Sequence, residues 1–180
     1  MYSSPPYRLS SHDIFHDFSA IEESNNSIQV IDGLEVDLCD IKMPQYDLLT
    51  IGNEKHQFLN EKEPYRYSKR IRELTTTAYI DFTPCEDHVW VDFIAYHIKK
   101  HRGSGMARKL LKTACKALWA PLPVRGTVPM ITTGRGHWRR LLRWYKEMGF
   151  VEYQRTTNTI HPMVYIELNT ANAAQCSNSN

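Results

Sequence analysis

Residues 97–111, HIKKHRGSGMARKLL, place two glycines two apart behind a run of cations and lead straight into a helix-like pattern. The first N–H groups of a helix have no intrahelical partner and point outward, so a turn of this kind can hold an anion. An ordinary strand-to-helix turn carries the same glycines, and taken alone the stretch supports both readings. Tyr145 is a second chemical candidate, a phenol in the stripe Trp138, Leu141, Leu142, Tyr145 and Met148. A phenol of pKa about 10 keeps its proton at neutral pH and can give it to a leaving group. As a stripe residue it can equally be core. Asp92 is the third candidate, the acidic residue of the apolar run VWVDFIAYHI. A lone carboxylate in a buried strand needs a partner or a task. It is either a base raised by burial or the partner of a cation. Glu86 and Asp87, in the preceding TPCEDH turn, are weaker candidates because loop acids are usually solvated.

These residues need elements to position them. Ala107, Leu110, Leu111, Ala114 and Leu118 recur at helical spacing, with Arg108, Lys109, Lys112 and Lys116 opposite. APLP ends that helix, since proline lacks a donor and clashes with the preceding turn. A strand over Val124–Thr132 and the Trp138–Met148 helix follow, with Gly149 as the stop. FVEYQRT and MVYIELN close the chain as strands. Earlier, SIQVIDGLEVDL, YDLLTI, TTTAYIDF and VWVDFIAYHI read as strands, the last two joined by a hairpin. SHDIFHDFSAIEE is a helix candidate, and EKHQFLNEKEPYRYSKRIRE fits a helix or a long loop. The order predicts an α/β fold: a mixed, mostly antiparallel sheet with helices on both faces.

At 180 residues and 42% hydrophobic, the chain makes one domain over residues 1–168, with a disordered tail at 169–180. A formal charge of +2 gives no global argument for nucleic acid, although Arg135, His137, Arg139, Arg140, Arg143 and Lys146 crowd one segment. Cys39, Cys85, Cys115 and Cys176 show no metal-ligand or framework spacing. Such thiols predict a cytoplasmic protein without a structural metal. No apolar run approaches membrane-spanning length.

Taken together, two motifs carry a resemblance. RGSGMA, Arg102 to Ala107, fits R/Q-x-x-G-x-G/A, and WYKEMGF, Trp144 to Phe150, resembles the F-Y-x-x-x-G-F ending of a later helix. Separated by a helix, a proline break and a strand, they resemble the acyl-CoA-binding core of the GNAT superfamily of N-acyltransferases. The resemblance covers about residues 75–168; before that the chain matches only in being strand-rich.

The resemblance implies acetyl-CoA as cosubstrate, its pyrophosphate held at Arg102, Gly103, Ser104, Gly105, Met106 and Ala107, with Lys99 and Lys100 at the rim. It implies that the backbone at His97 and Ile98 pairs with pantetheine, that Tyr145 is the general acid, and that Asp92 stands near a base position. Many relatives carry an asparagine seven residues before the tyrosine; here it is Trp138, which either contacts the cofactor or packs in the core. TTGRGHW is a candidate for a second anion contact or a loop capping the helix. The implied activity is transfer of an acetyl group to a primary amine of a protein or small molecule, by a monomer or homodimer. The alternatives are a weakly catalytic module of this fold that binds nucleic acid or a partner, and an acyltransferase acting on nucleic acid or tRNA. The GRGHWRRLLRWYK segment motivates both.

Overall fold

The computed structural model describes residues 22–44, 46–51, 54–59, 62, 65–130, 137–156 and 162–173. Among these residues ten strands are formed: β1 Glu22–Ile31, β2 Leu34–Pro44, β3 Tyr46–Ile51, β4 Glu54–Leu59, β5 Tyr65–Glu73, β6 Ala78–Pro84, β7 Val89–Tyr96, β8 Val124–Pro129, β9 Val151–Thr156 and β10 Met163–Leu168. Helices are α1 Met106–Ala114, α2 His137–Lys146 and the short α3 Thr170–Ala173. Eight strands make one mixed sheet in the order β1-β2-β5-β6-β7-β8-β10-β9, and β3 pairs with β4 in a separate hairpin. This is the α/β class and mixed sheet that the element order predicts.

The run SIQVIDGLEVDL is two strands. Asp32 (φ 47) and Gly33 (φ 75) both take left-handed backbone, the geometry of a two-residue hairpin turn. The stretch left open between helix and loop is also two strands, β4 and β5. In β5 both faces carry charge, which hides the strand period. Arg70 is 2% exposed and reaches Asp81 on β6 through two hydrogen bonds of 2.7 and 2.9 Å. Arg72 reaches Asp37 on β2 at 2.6 Å. Of the helix candidate at residues 11–23, only Glu22 and Glu23 are described, and they open β1.

The other face of these strands carries the apolar core. Ile71, Ile80, Phe82, Val89 and Val91 pack there against Leu110, Leu111 and Ala114 of α1. Each fully buried leucine or isoleucine contributes about 1.5–3 kcal/mol. α1 continues through a wider turn, Cys115–Trp119, that seats Trp119 against Phe82 at 4.9 Å between ring centres. α2 joins the same core through Leu142 and Tyr145, and Arg108 of α1 meets Glu147 just past α2 at 2.6 Å. α1 and α2 therefore share one face. A helix on the opposite face is not among the described residues. At the chain's end, residues 170–173 of the expected disordered tail are ordered: Thr170 is buried and donates to the Leu122 carbonyl at 2.8 Å.

Candidate active site

The centre of the sheet holds a parallel pair, β7 with β8, the one such pair among the described residues. That pairing lasts for three residues, Val89↔Val124, Trp90↔Arg125 and Val91↔Gly126. β7 then runs on to Tyr96 and β8 to Pro129, while β6 stays on β7 and β10 on β8. A gap therefore opens inside the sheet. Gly126 sits at its apex, where a Cβ would stand 3.3 Å from the Val91 carbonyl oxygen. The absence of that Cβ lets the two strands close up before they part.

A bulge marks the same point on β7. Phe82 pairs with Val91 and Asp81 with Phe93, so Asp92 is the extra residue. Its carboxylate accepts the Thr83 hydroxyl at 2.8 Å and the Ser68 hydroxyl at 3.3 Å, and pairs with the Arg66 guanidinium. Of the two roles the sequence allowed Asp92, its contacts here are those of a cation's partner. Thr83 and Ser68 lie on the face away from α1 and α2. Tyr145 lies in the core beneath those helices, so no contact joins it to Asp92.

Beyond the bulge, strand alternation decides which backbone groups face the gap. The His97 N–H donates to the Thr77 carbonyl at 3.2 Å, toward β6, and the Ile98 carbonyl accepts the His101 N–H at 3.1 Å. The pairing expected at His97 and Ile98 is thus already committed to the strand end and the turn. By alternation, Ile94 and Tyr96 turn their N–H and C=O toward the gap. The His97 side chain is exposed and stacks on Tyr79, 4.5 Å between ring centres. Burial, together with the charges of Arg70 and Arg72, lowers its pKa below the ordinary histidine value.

The glycine turn stands at the open end of the gap. Gly103 (φ 87) and Gly105 (φ 80) are both left-handed, and an added Cβ at either would meet nothing within 4 Å. Gly105 caps α1, and its carbonyl accepts the Lys109 N–H at 3.1 Å. The Met106 N–H is taken by the Ser104 hydroxyl at 3.3 Å and the Ala107 N–H by the Tyr96 hydroxyl at 2.9 Å. This narrows the expected donor set. Among the described residues, the N–H groups of Gly103, Gly105 and Arg108 have no partner of this kind. Tyr96 escaped the sequence reading, because a phenol at a strand end carries no pattern that ties it to a helix start. Arg102 is exposed beside the turn.

Tyr145 is 8% exposed and meets Trp144 and Phe150 edge-on at 4.9 and 5.2 Å. Desolvation pushes its phenol pKa well up, so the proton stays on oxygen. The tyrosine's position is fixed by the helix end. Phe150 N–H returns to the Tyr145 carbonyl at 3.2 Å, and Gly149 turns the chain at φ 94. Trp138 lies at the other end of α2, under the guanidinium groups of Arg139 (4.9 Å) and Arg155 (5.8 Å). Residues 132–136 of the TTGRGHW segment lie outside the described residues. Glu86 and Asp87 are exposed; Asp87 pairs with His88 at 2.6 Å.

Burial pushes the Cys39 thiol up to about 11 and the Cys115 thiol up to about 12, so neither ionises at neutral pH. Among the described residues no group of three or more His, Cys, Asp or Glu could hold a metal. No described helix is long and apolar enough to cross a membrane.

No family model matches the chain, and no curated protein matches it. Among the solved structures it is similar to are some described as acetyltransferases of the GNAT family or as N-acetyltransferases. One, from Desulfovibrio desulfuricans and described as a GNAT-family acetyltransferase, shares 15% identity at a TM-score of 0.45, over 58% of this chain and 69% of that one. An N-acetyltransferase from Staphylococcus aureus Mu50 shares 13% at 0.44, over 55% and 69%. The NatC complex bound to Gag peptide and CoA shares 14% at 0.38, over 57% and 70%.

Proposed function

We propose that the protein is an acetyl-CoA-dependent N-acyltransferase that acts on a primary amine by direct attack. One observation carries this reading. The parallel pair β7–β8 splits after three residues, and the open end of the split holds the left-handed glycine turn that starts α1. The residues present fit coenzyme A. Space stands open in front of Gly103 and Gly105, where a side chain would otherwise fill the cradle. The N–H groups of Gly103, Gly105 and Arg108 would hold the pyrophosphate, with Arg102 at the rim. Ile94 and Tyr96 offer strand-edge hydrogen bonds along the gap. Acetyl-CoA, when bound, supplies an acyl group activated as a thioester.

The chain's own groups then divide the proton work. Tyr145 holds a proton on its phenol oxygen throughout the neutral range, as the donor to a leaving thiolate must. Asp92 uses its oxygens on Arg66, Thr83 and Ser68 and holds the bulge in shape. The His97 ring stacks on Tyr79 and has its pKa lowered below the ordinary histidine value, so it offers an acceptor for the amine's proton. Free thiols at Cys39, Cys85 and Cys115 suit a cytosolic setting. Mass spectrometry of the purified protein for bound CoA, followed by turnover of acetyl-CoA with a mixed amine panel, tests the proposal. A folded protein without calorimetric affinity for CoA would defeat it.

A further inference from the structure

The balanced charge of the whole chain hides a sharp division. Between Lys99 and Gly149 stand thirteen lysines and arginines and a single acid, Glu147; everywhere else the chain has nine cations and nineteen acids. The fold turns that division into a surface. α1 and α2 lie side by side on one face of the sheet, and their apolar stripes point inward, so their charged stripes point out together. Lys109, Lys112 and Lys116 are exposed on the α1 side, and Arg139, Arg140, Arg143 and Lys146 on the α2 side.

Few of these cations are neutralised. Glu147 is held by Arg108 at 2.6 Å, Asp32 approaches Lys116 at 3.8 Å, and Glu152 is held by Arg155 and approaches Lys146 at 4.0 Å. Lys109, Lys112, Arg139, Arg140 and Arg143 have no acidic partner among the described residues. Lys109, Lys112 and Lys116 on α1, and Arg140, Arg143 and Lys146 on α2, fall at steps of three or four residues, which places them about 4.5–6 Å apart along the axis. A strand of duplex repeats its charge about every 3.4 Å along the axis, so successive cations fall about one to two phosphates apart.

We propose that the outer face of α1 and α2 docks the phosphate backbone of a nucleic acid, without reading its bases. Guanidinium forks suit phosphate oxygens. Trp138 and Trp144 do not project as stacking platforms, since both pack against the core and carry arginines over their rings. Contact is therefore with backbone, and indifferent to sequence. A lipid surface fits less well. A helix that lies on a membrane needs outward apolar residues between its cations. None of the exposed large hydrophobics (Ile28, Val30, Tyr65, Tyr67, Ile98, Val151 and Tyr153) belongs to α1 or α2. This inference stands apart from acyl transfer: it concerns the solvent side of the helices, away from the gap.

The test is fluorescence anisotropy of the full chain with a labelled mixed-sequence RNA of about 15 nucleotides. Affinity should fall by about two decades between roughly 50 and 200 mM salt. The triple variant Arg139→Gln, Arg140→Gln, Arg143→Gln should weaken binding and flatten the log–log salt slope by about 2, at about 0.7 per phosphate contact on a single strand. Lys109→Gln with Lys112→Gln, on the other helix, should act in the same direction. Unchanged circular dichroism melts identify both variants as folded. RNA binding that persists in saturating CoA separates this face from the glycine turn, and holds even if the enzyme assignment fails. The proposal is overturned by absent binding at low salt, or by folded variants that bind as tightly as the parent. It is equally overturned if polyglutamate of matched charge displaces the RNA as well as unlabelled RNA does, or if anionic vesicles retain the protein against excess RNA.

Discussion

Gly105 allows the anion site to be separated from the backbone that builds it. Its φ of 80 makes any side chain strained, while an added Cβ meets nothing within 4 Å. Gly105→Ala and Gly105→Glu therefore carry the same backbone penalty, about 1 kcal/mol. For a chain of this size that lowers Tm by about 2–4 °C in both variants. Their affinities for CoA should diverge. Alanine adds only bulk in front of the cradle, whereas glutamate adds a negative charge where phosphates would bind. Like charges about 4 Å apart near a surface repel by up to about 4 kcal/mol, and salt reduces this to about half. Isothermal calorimetry should place Gly105→Glu about 30- to 1000-fold weaker than Gly105→Ala. Equal affinities in two folded variants with matched melts would refute the reasoning, since charge at the turn would then be irrelevant.

Three further expectations follow from the same structure. Tyr145→Phe should lower kcat by about one to four decades at nearly constant KM for acetyl-CoA, read by steady-state kinetics. Stability should barely change, because the ring keeps its contacts with Trp144 and Phe150. Asp81→Ala should destabilise by about 3–5 kcal/mol in chemical denaturation, by stranding a buried Arg70 whose remaining partner is Glu23 at 2.9 Å. For His97, the lowered folded pKa means that the unfolded chain takes up the proton first as pH falls. Its stabilising contribution is complete above the unfolded value of about 6.5 and is lost as pH falls through the lower folded value. Melting curves of parent and His97→Gln should therefore converge as pH falls through that window.

The second half of the chain was legible because its elements obey simple periods. The α1 and α2 stripes, the proline break and the Gly149 stop each follow from local stereochemistry. The first half resisted for a physical reason. β5 pairs its charges with β2 and β6, and a strand whose arginines are satisfied by distant carboxylates looks polar on both faces. The Asp32–Gly33 turn carried a standard hairpin signal inside what read as one run. Within the site, motif spacing located the glycine turn and Tyr145, but the contacts of Asp92 with Arg66, Ser68 and Thr83 span up to 26 residues of sequence and have no local trace. The commitment of the His97 N–H to Thr77 depends on strand register, which no periodicity reveals.

The split between β7 and β8 also divides the molecule as a folding object. On one side stands a leaf of antiparallel neighbours, β1, β2, β5, β6 and β7; on the other stands a smaller leaf of β8, β10 and β9. The sheet itself joins them through three residue pairs, and the helices they share supply the rest. Amide exchange should register these as separate cooperative units, with the three-stranded leaf opening at lower free energy than the larger one. A molecule lodged in the gap and bonded to both edges would act as a splint, raising the opening energy of the small leaf without touching its outer strands. Ligand affinity and local breathing would then be two readings of one quantity.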